Sequence, residues 1–220
     1  MKIYLKVSLA IVVTGLLVSC GPQERVSKEV FEEVNQNMEV KKLSEAEILE
    51  QAMEWGDSIS TVAQKELVSQ LQNAIAQKGV AGAIDFCNVN ALGILQNVSD
   101  TYQVSIRRAS NRFRNPNDQP TPDEQAILEA YEYNAENGLK SEPNIQKVDN
   151  GEVLLYTKPI VIPNGMCLTC HGEAGKEINE ETLQRINELY PDDRAKGHQV
   201  GDLRGMWSLR IPKSEVVKKM

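Results

Sequence analysis

The clearest chemistry in this chain lies in Cys167-Leu168-Thr169-Cys170-His171. Two thiols three positions apart can each add to a vinyl group of one haem, and the histidine that follows is then delivered beneath the iron as the proximal ligand. By composition alone the pattern arises about once in a thousand chains, so it is far more specific than a lone Cys-x-x-Cys. A zinc site would need four well-disposed ligands, and the adjacent Cys170 and His171 do not readily enter one tetrahedron. A thioredoxin-like pair would follow a strand and open a helix, whereas Asn164-Gly165 before the motif and Gly172 after it point to a loop. The cofactor expected is covalent haem c. Its sixth coordination position then decides what the protein can do, and the candidates are Cys87, His198, Met38, Met53, Met166 and Met206. A methionine would raise the potential and suit an electron carrier, whereas a thiolate donates charge and favours ferric iron. His198, beside Gly197 and Lys196, reads as a surface-loop residue, and Met166 is too near the motif to reach the opposite haem face.

Covalent haem attachment belongs outside the cytoplasm, and the N-terminus agrees. Lys2 and Lys6 precede the apolar run Val7 to Val18, the build of a secretory signal over residues 1–19. The run ends in Leu17-Val18-Ser19-Cys20, similar to a bacterial lipobox, so Cys20 is expected to be lipidated and to become the first mature residue. Acyl chains there would anchor the protein to a membrane surface facing the periplasm or the cell exterior. The whole chain carries 24 Lys plus Arg against 31 Asp plus Glu. Loss of Lys2 and Lys6 takes the balance to 22 minus 31, or −9. That charge argues against a nucleic-acid partner, and no long apolar span outside the signal supports a polytopic membrane protein.

Residues 20–43 are polar and read as a tether. Ser44-Glu45-Ala46-Glu47 is a capping box that opens a long helix, with Gly56 as a kink and Gly79 as its end. A second helix over 80–98 carries Ile84, Cys87, Ala91, Ile94 or Leu95, and Val98 on one stripe, which turns Cys87 inward. Strand character over 102–109 is followed by a turn-rich loop over 111–118. Thr121-Pro122-Asp123-Glu124 starts another helix, which ends at Gly138. Ile145 to Val148, the turn Asp149-Asn150-Gly151-Glu152 and Val153 to Ile162 form a hairpin, and Gly205 to Ile211 a further strand. Helices first and antiparallel strands later make one α+β domain with four or five strands over 44–214, and 215–220 is left as a tail.

Four segments together resemble the Tll-type c-haem domain family across residues 44–212. They are Ala83 to Cys87, Ile106 to Ser110 through Arg114 to Asn117, Pro163 through Cys167 to Gly172, and Tyr190 to Ala195 through Gly201 to Gly205. The resemblance implies a PAS-like antiparallel sheet, His171 as proximal ligand and Cys87 as distal thiolate. Two positions depart from the family pattern: Ala109 stands where threonine is common, and His198 where an aromatic residue is usual. Arg107, Arg108, Arg112 and Arg114 cluster near this site, and Arg107, Arg108 and Arg114 are candidates to pair with haem propionates. Trp207, Tyr156 and Phe86 are candidates to line the pocket.

The function expected is a membrane-anchored redox or diatomic-gas sensor, with a lipid-anchored electron-transfer cytochrome as the alternative. A non-catalytic role is expected, because six-coordinate haem leaves no open site and no distal acid-base pair is evident. Without an output segment after residue 211, signalling would pass to a separate partner protein.

Overall fold

A computed structural model describes residues 27–37 and 43–220. The expected signal segment, Cys20 and Met38 lie outside the described residues. The chain divides into residues 1–42 and 43–220, and each unit is described by itself. In the first, helix α1 (Lys28–Asn37) is opened by Ser27, whose hydroxyl accepts the Val30 N–H at 3.2 Å. Helix therefore occupies part of the segment expected as a tether.

The second unit is a four-stranded antiparallel sheet between helices. Helix α2 (Glu45–Tyr102) starts at Ser44, whose side chain and that of Glu47 close the expected capping box. It is broken at Gly79, which has φ 71° and ψ 177°, so α2 is two arms joined by one non-helical residue. Strand β1 (Ser105–Ala109), helix α3 (Pro122–Glu136), strand β2 (Asn144–Val148) and strand β3 (Val153–Val161) follow. Helices α4 (Gly165–His171) and α5 (Glu180–Leu189), strand β4 (Leu203–Pro212) and helix α6 (Lys213–Val217) complete the order. The sheet order is β1-β4-β3-β2, with Arg108 opposite Trp207 and Lys158 opposite Trp207 across the central strand. No helix among the described residues is long and apolar enough to cross a membrane.

Period-two alternation sends successive strand residues to opposite faces. Ile106, Leu154, Tyr156, Trp207, Leu209 and Ile211 pack against Ile48, Ala52, Ile59 and Ala63 of α2. Ala109, Leu155 and Met206 pack on the other face against Ile127, Leu128 and Tyr131 of α3. The fold is thus a sheet between two helical layers, in keeping with the α+β expectation. A third cluster joins Ile84 on the second arm of α2 to Ile178, Ile186 and Tyr190, so α5 braces that arm.

Three expectations are corrected. Gly56 does not bend the helix: it is buried where an added Cβ would lie 2.4 Å from Cγ of Tyr156, so its role is close packing. The Cys167 to His171 segment is not a loop: it follows β3 and lies in α4, which Asn164 caps by accepting the Met166 N–H at 3.0 Å, so a loop does not distinguish this pair from a thioredoxin-like one. The last residues are not a free tail, because Val216 of α6 is completely buried in the α2-side core.

Candidate haem site

The α2-side face of the sheet ends in a cavity of about 260 Å³. Its walls come from both arms of α2, from the ends of β1, β3 and β4, and from α4. Leu67, Leu71 and Ile75 lie on one arm, Ile84, Phe86, Cys87 and Ala91 on the other, and Cys167, Cys170 and His171 on α4. The cavity therefore gathers the thiol pair, the following histidine and Cys87, four residues separated by up to 84 positions. Cys87 reaches it because the stripe of Ile84, Ala91, Leu95 and Val98 fixes which side of the second arm turns inward.

A single turn of helix places both thiols of α4 and His171 along the same cavity wall. His171 Nδ1 lies 2.9 Å from the carbonyl oxygen of Ala195, which can only accept, so Nδ1 carries the proton and Nε2 keeps its lone pair. Burial, then the positive charges of Arg204 and Arg114, hold the His171 pKa well below the usual histidine range, so the ring is neutral. The segment that supplies Ala195 is itself fixed. Asp193 accepts from the Ala195 N–H at 3.0 Å and from Arg114 Nε at 3.1 Å, while Arg114 Nη2 donates to the Cys170 carbonyl at 2.6 Å. Gly197 N–H donates to the Gly172 carbonyl at 2.7 Å, and His198 N–H to the His171 carbonyl at 2.8 Å. Arg114 thus ties the motif helix to the strand of chain that orients the histidine.

The three thiols lie in an apolar setting. Burial raises the Cys87 pKa, opposed by the positive charges of Arg108 and Arg114. Burial also raises Cys170 and Cys167. The donor set fits a covalently held haem: two thiols on one turn, a neutral imidazole with Nε2 free, a second-wall thiol, and a lining otherwise dominated by aliphatic and aromatic side chains.

The other expected residues divide. Arg108 and Arg114 line the cavity, and Arg107 does not. Neighbours on a strand face opposite ways, so Arg107 turns to the α3 side, where it pairs with Glu124 and donates to the carbonyls of Asn117 (2.5 Å) and Gln119 (2.8 Å). Its expected role beside the propionates is therefore corrected. Trp207 and Phe86 line the cavity, while Tyr156 packs on Gly56 instead.

His198 is also corrected. It is only 2% exposed, and its ring meets His171 edge-on with 6.2 Å between centroids. It packs beside His171 and is not among the residues lining the cavity, a placement unlike that of a competing distal ligand. Burial, then Arg112 and Arg204, push its pKa down to about 4. Met166 and Gln72 line the cavity together, the amide Nε2 lying 3.8 Å from the methionine sulfur. Met53 packs against the α2-side core and Met206 against the α3-side core.

Sequence reasoning missed Arg204. It stands one residue into β4 and reaches the cavity beside Arg108 and Arg114. Its position within Gly201 to Gly205, next to an expected strand, was a local signal, but convergence with β1 required the strand pairing.

No curated protein matches this chain. A solved structure described as the cyanobacterial heme-protein Tll0287 is similar at 26% identity and a TM-score of 0.47, covering 67% of this chain and 95% of that one. The Tll0287-like family model matches residues 24–212, and the chain belongs to that family.

Proposed function

We propose that this protein is a c-type haem protein, held to the group through Cys167 and Cys170, with His171 as proximal and Cys87 as distal ligand, and that it serves as a redox or diatomic-gas sensor. When bound, haem supplies an iron centre that takes up or releases one electron and, if a ligand leaves, can accept a diatomic gas. One observation carries the reading: Cys87 and the α4 triad come from distant parts of the chain to line the same mostly apolar cavity. Membership of a family whose namesake is described as a heme-protein points the same way.

The protein's own residues have separable roles. The Ala195 carbonyl holds the proton on His171 Nδ1, and Arg114 with Asp193 holds that carbonyl in place. Leu67, Leu71, Ile75 and Phe86 give the cavity that Cys87 lines its apolar surface. Cys87 lies eight residues beyond the non-helical break at Gly79, on an arm whose far end, Leu95 and Val98, is held in the α2-side core, which supports a sensor in which movement of the distal residue reaches the sheet. The antiparallel sheet beside long helices supports the PAS-like assignment, an argument by fold analogy. The lipobox-like Leu17 to Cys20 supports export and membrane anchoring.

Haem staining after denaturing electrophoresis tests attachment: wild type should retain the stain, and the Cys167→Ala, Cys170→Ala variant should lose it. A stain that survives in the double variant would refute the attachment. Cys87→Ala should change the ferric absorption and paramagnetic spectra, and an unchanged spectrum would reduce Cys87 to a core residue. Reduced wild type should bind CO; refusal would turn the assignment to the electron-transfer cytochrome.

A further inference from the structure

The cavity holds more positive charge than the protein compensates. Arg114 already has a carboxylate, Asp193, at 3.1 Å from Nε, and its Nη2 donates to the Cys170 carbonyl. Arg108 has its nearest carboxylate, Asp118, at 3.7 Å, and its buried Nε has no acceptor. Arg204 has no carboxylate within 4 Å among the described residues. Its Nη1 donates to the Ser110 hydroxyl at 3.2 Å and the Arg112 carbonyl at 2.9 Å, both neutral acceptors, and its buried Nε has none. Burial, with Arg108 and Arg114 close by, pushes the Arg204 pKa down to about 9. A half-buried guanidinium with a buried Nε lacking an acceptor and no anion beside it carries a desolvation cost, so an anion at this place would relieve a cost already built into the fold.

Arg204 is also held in position before any ligand arrives. The Ser110 hydroxyl donates to the Arg204 carbonyl at 2.9 Å while accepting from its side chain and from the Arg112 N–H at 3.1 Å. Ser110 thus fixes both the backbone and the guanidinium. The strand register carries Arg108 to the same end of the sheet, since Ala109 pairs with Met206 two residues beyond Arg204. What results is a pair of incompletely satisfied guanidiniums beside an otherwise apolar space, suited to a ligand that is apolar in its body and carries carboxylates at one edge.

We propose that Arg204 and Arg108 are the carboxylate-binding pair of this cavity and take the two propionate groups of the haem, with Ser110 as the positioning residue for Arg204. The assignment rests on the haem reading above and moves the role away from Arg107, which faces α3, and from Arg114, which already has its anion.

The test uses the full-length, haem-loaded protein and reads the propionate-bending bands by resonance Raman together with the midpoint potential. Arg204→Gln retains a donor for Ser110 while removing the charge. It should shift a propionate band and lower the potential, because loss of a neighbouring positive charge favours ferric iron. Arg204→Lys keeps the charge without the planar fork. It should shift the band while holding the potential near wild type, and it decides the matter if Arg204→Gln does not fold. Arg107→Gln should leave the propionate bands unmoved. Unmoved bands in both Arg204 variants, with haem attached, would overturn the assignment even if the potential fell, because charge alone can act through space. Wild type without retained haem would instead remove the haem reading on which the proposal rests, so the two failures are distinct.

Discussion

Gly56 offers the most direct quantitative test of how the sheet seats on α2. An alanine there would place its Cβ 2.4, 2.5 and 2.8 Å from Cγ, Cδ2 and Cδ1 of Tyr156. Carbon contacts settle near 3.5–4.0 Å, so the ring would have to retreat by roughly 1 Å. It has nowhere easy to go: Tyr156 is completely buried, and its hydroxyl donates to Asp57 Oδ1 at 3.2 Å, one residue along the same helix. Overpacking of this kind costs about 1–3 kcal/mol, and a weakened hydrogen bond adds about 1 kcal/mol. Alanine's better helix propensity returns about 1 kcal/mol. Gly56→Ala should therefore be destabilising by about 1–3 kcal/mol, a fall in Tm of roughly 2–12 °C for a domain of this size. Thermal unfolding followed by circular dichroism measures it. The sign should reverse in a Tyr156→Ala background, where the clash is gone and Gly56→Ala should stabilise by up to about 1 kcal/mol. A neutral or stabilising Gly56→Ala in the wild-type background would refute the packing argument.

Glu124→Gln should cost about 2 kcal/mol in denaturant unfolding: Glu124 is buried, but the side chain of its partner Arg107 is 28% exposed, which tempers the usual buried-pair penalty. Burial alone would raise the Glu124 pKa; the nearby Ser208 hydroxyl, the Thr121 N–H and Arg107 outweigh it and hold the group below its ordinary value of 4.5. Its contribution is therefore fully present above about pH 4.5 and disappears as pH falls through the lower folded value, so the gap between wild type and Glu124→Gln should narrow in acid; a constant gap would count against the pairing. Gly79→Ala should destabilise by about 1–3 kcal/mol through backbone strain alone, because φ 71° with ψ 177° is a region almost reserved for glycine while no atom lies within 4 Å of the added Cβ. Cys20→Ser should release the expressed protein from membranes, and persistent membrane retention with no acyl mass on wild type would count against lipidation.

What could be read from the sequence depended on whether the determining contacts were local. The Ser44 and Glu47 box, the break at Gly79 and the Asn150-Gly151 turn each arise from residues a few positions apart, and each is present. The inward stripe of Cys87 was readable for the same reason. Helix α5 had local signals too, Asn179 at its cap and Glu180 and Glu181 in its first turn, but was not anticipated. Gly56 was misread because a glycine that bends a helix and one that admits a ring are identical in sequence; only Tyr156, 100 positions away, distinguishes them. Arg107 and Arg108 are instructive in another way. Period two already forbids adjacent strand residues from facing one cavity, so one of the pair had to be wrong. His198 and Arg204 were beyond local reasoning, since their neighbours come from α4 and from the segment that follows β1.

The break at Gly79 has a mechanical consequence. Both helical walls of the cavity belong to α2, so the gap between them is set by one pair of torsion angles at one end and by the packing of Leu95 and Val98 on the first arm and the sheet at the other. Cys87 lies eight residues beyond that pivot, about 12 Å along the axis at 1.5 Å per residue. Over that lever, a rotation of 5° displaces the sulfur by about 1 Å, comparable with the difference between a bond to a metal and a non-bonded contact. The same leverage works in reverse. The far end of the arm is tied to the sheet, where Val98 packs in the α2-side core and the Ser99 hydroxyl accepts the Ile106 N–H of β1 at 3.3 Å, so a displacement of the thiol is felt there, and the hydrophobic grip of Ile186 and Tyr190 on Ile84 adds to the stiffness of that spring.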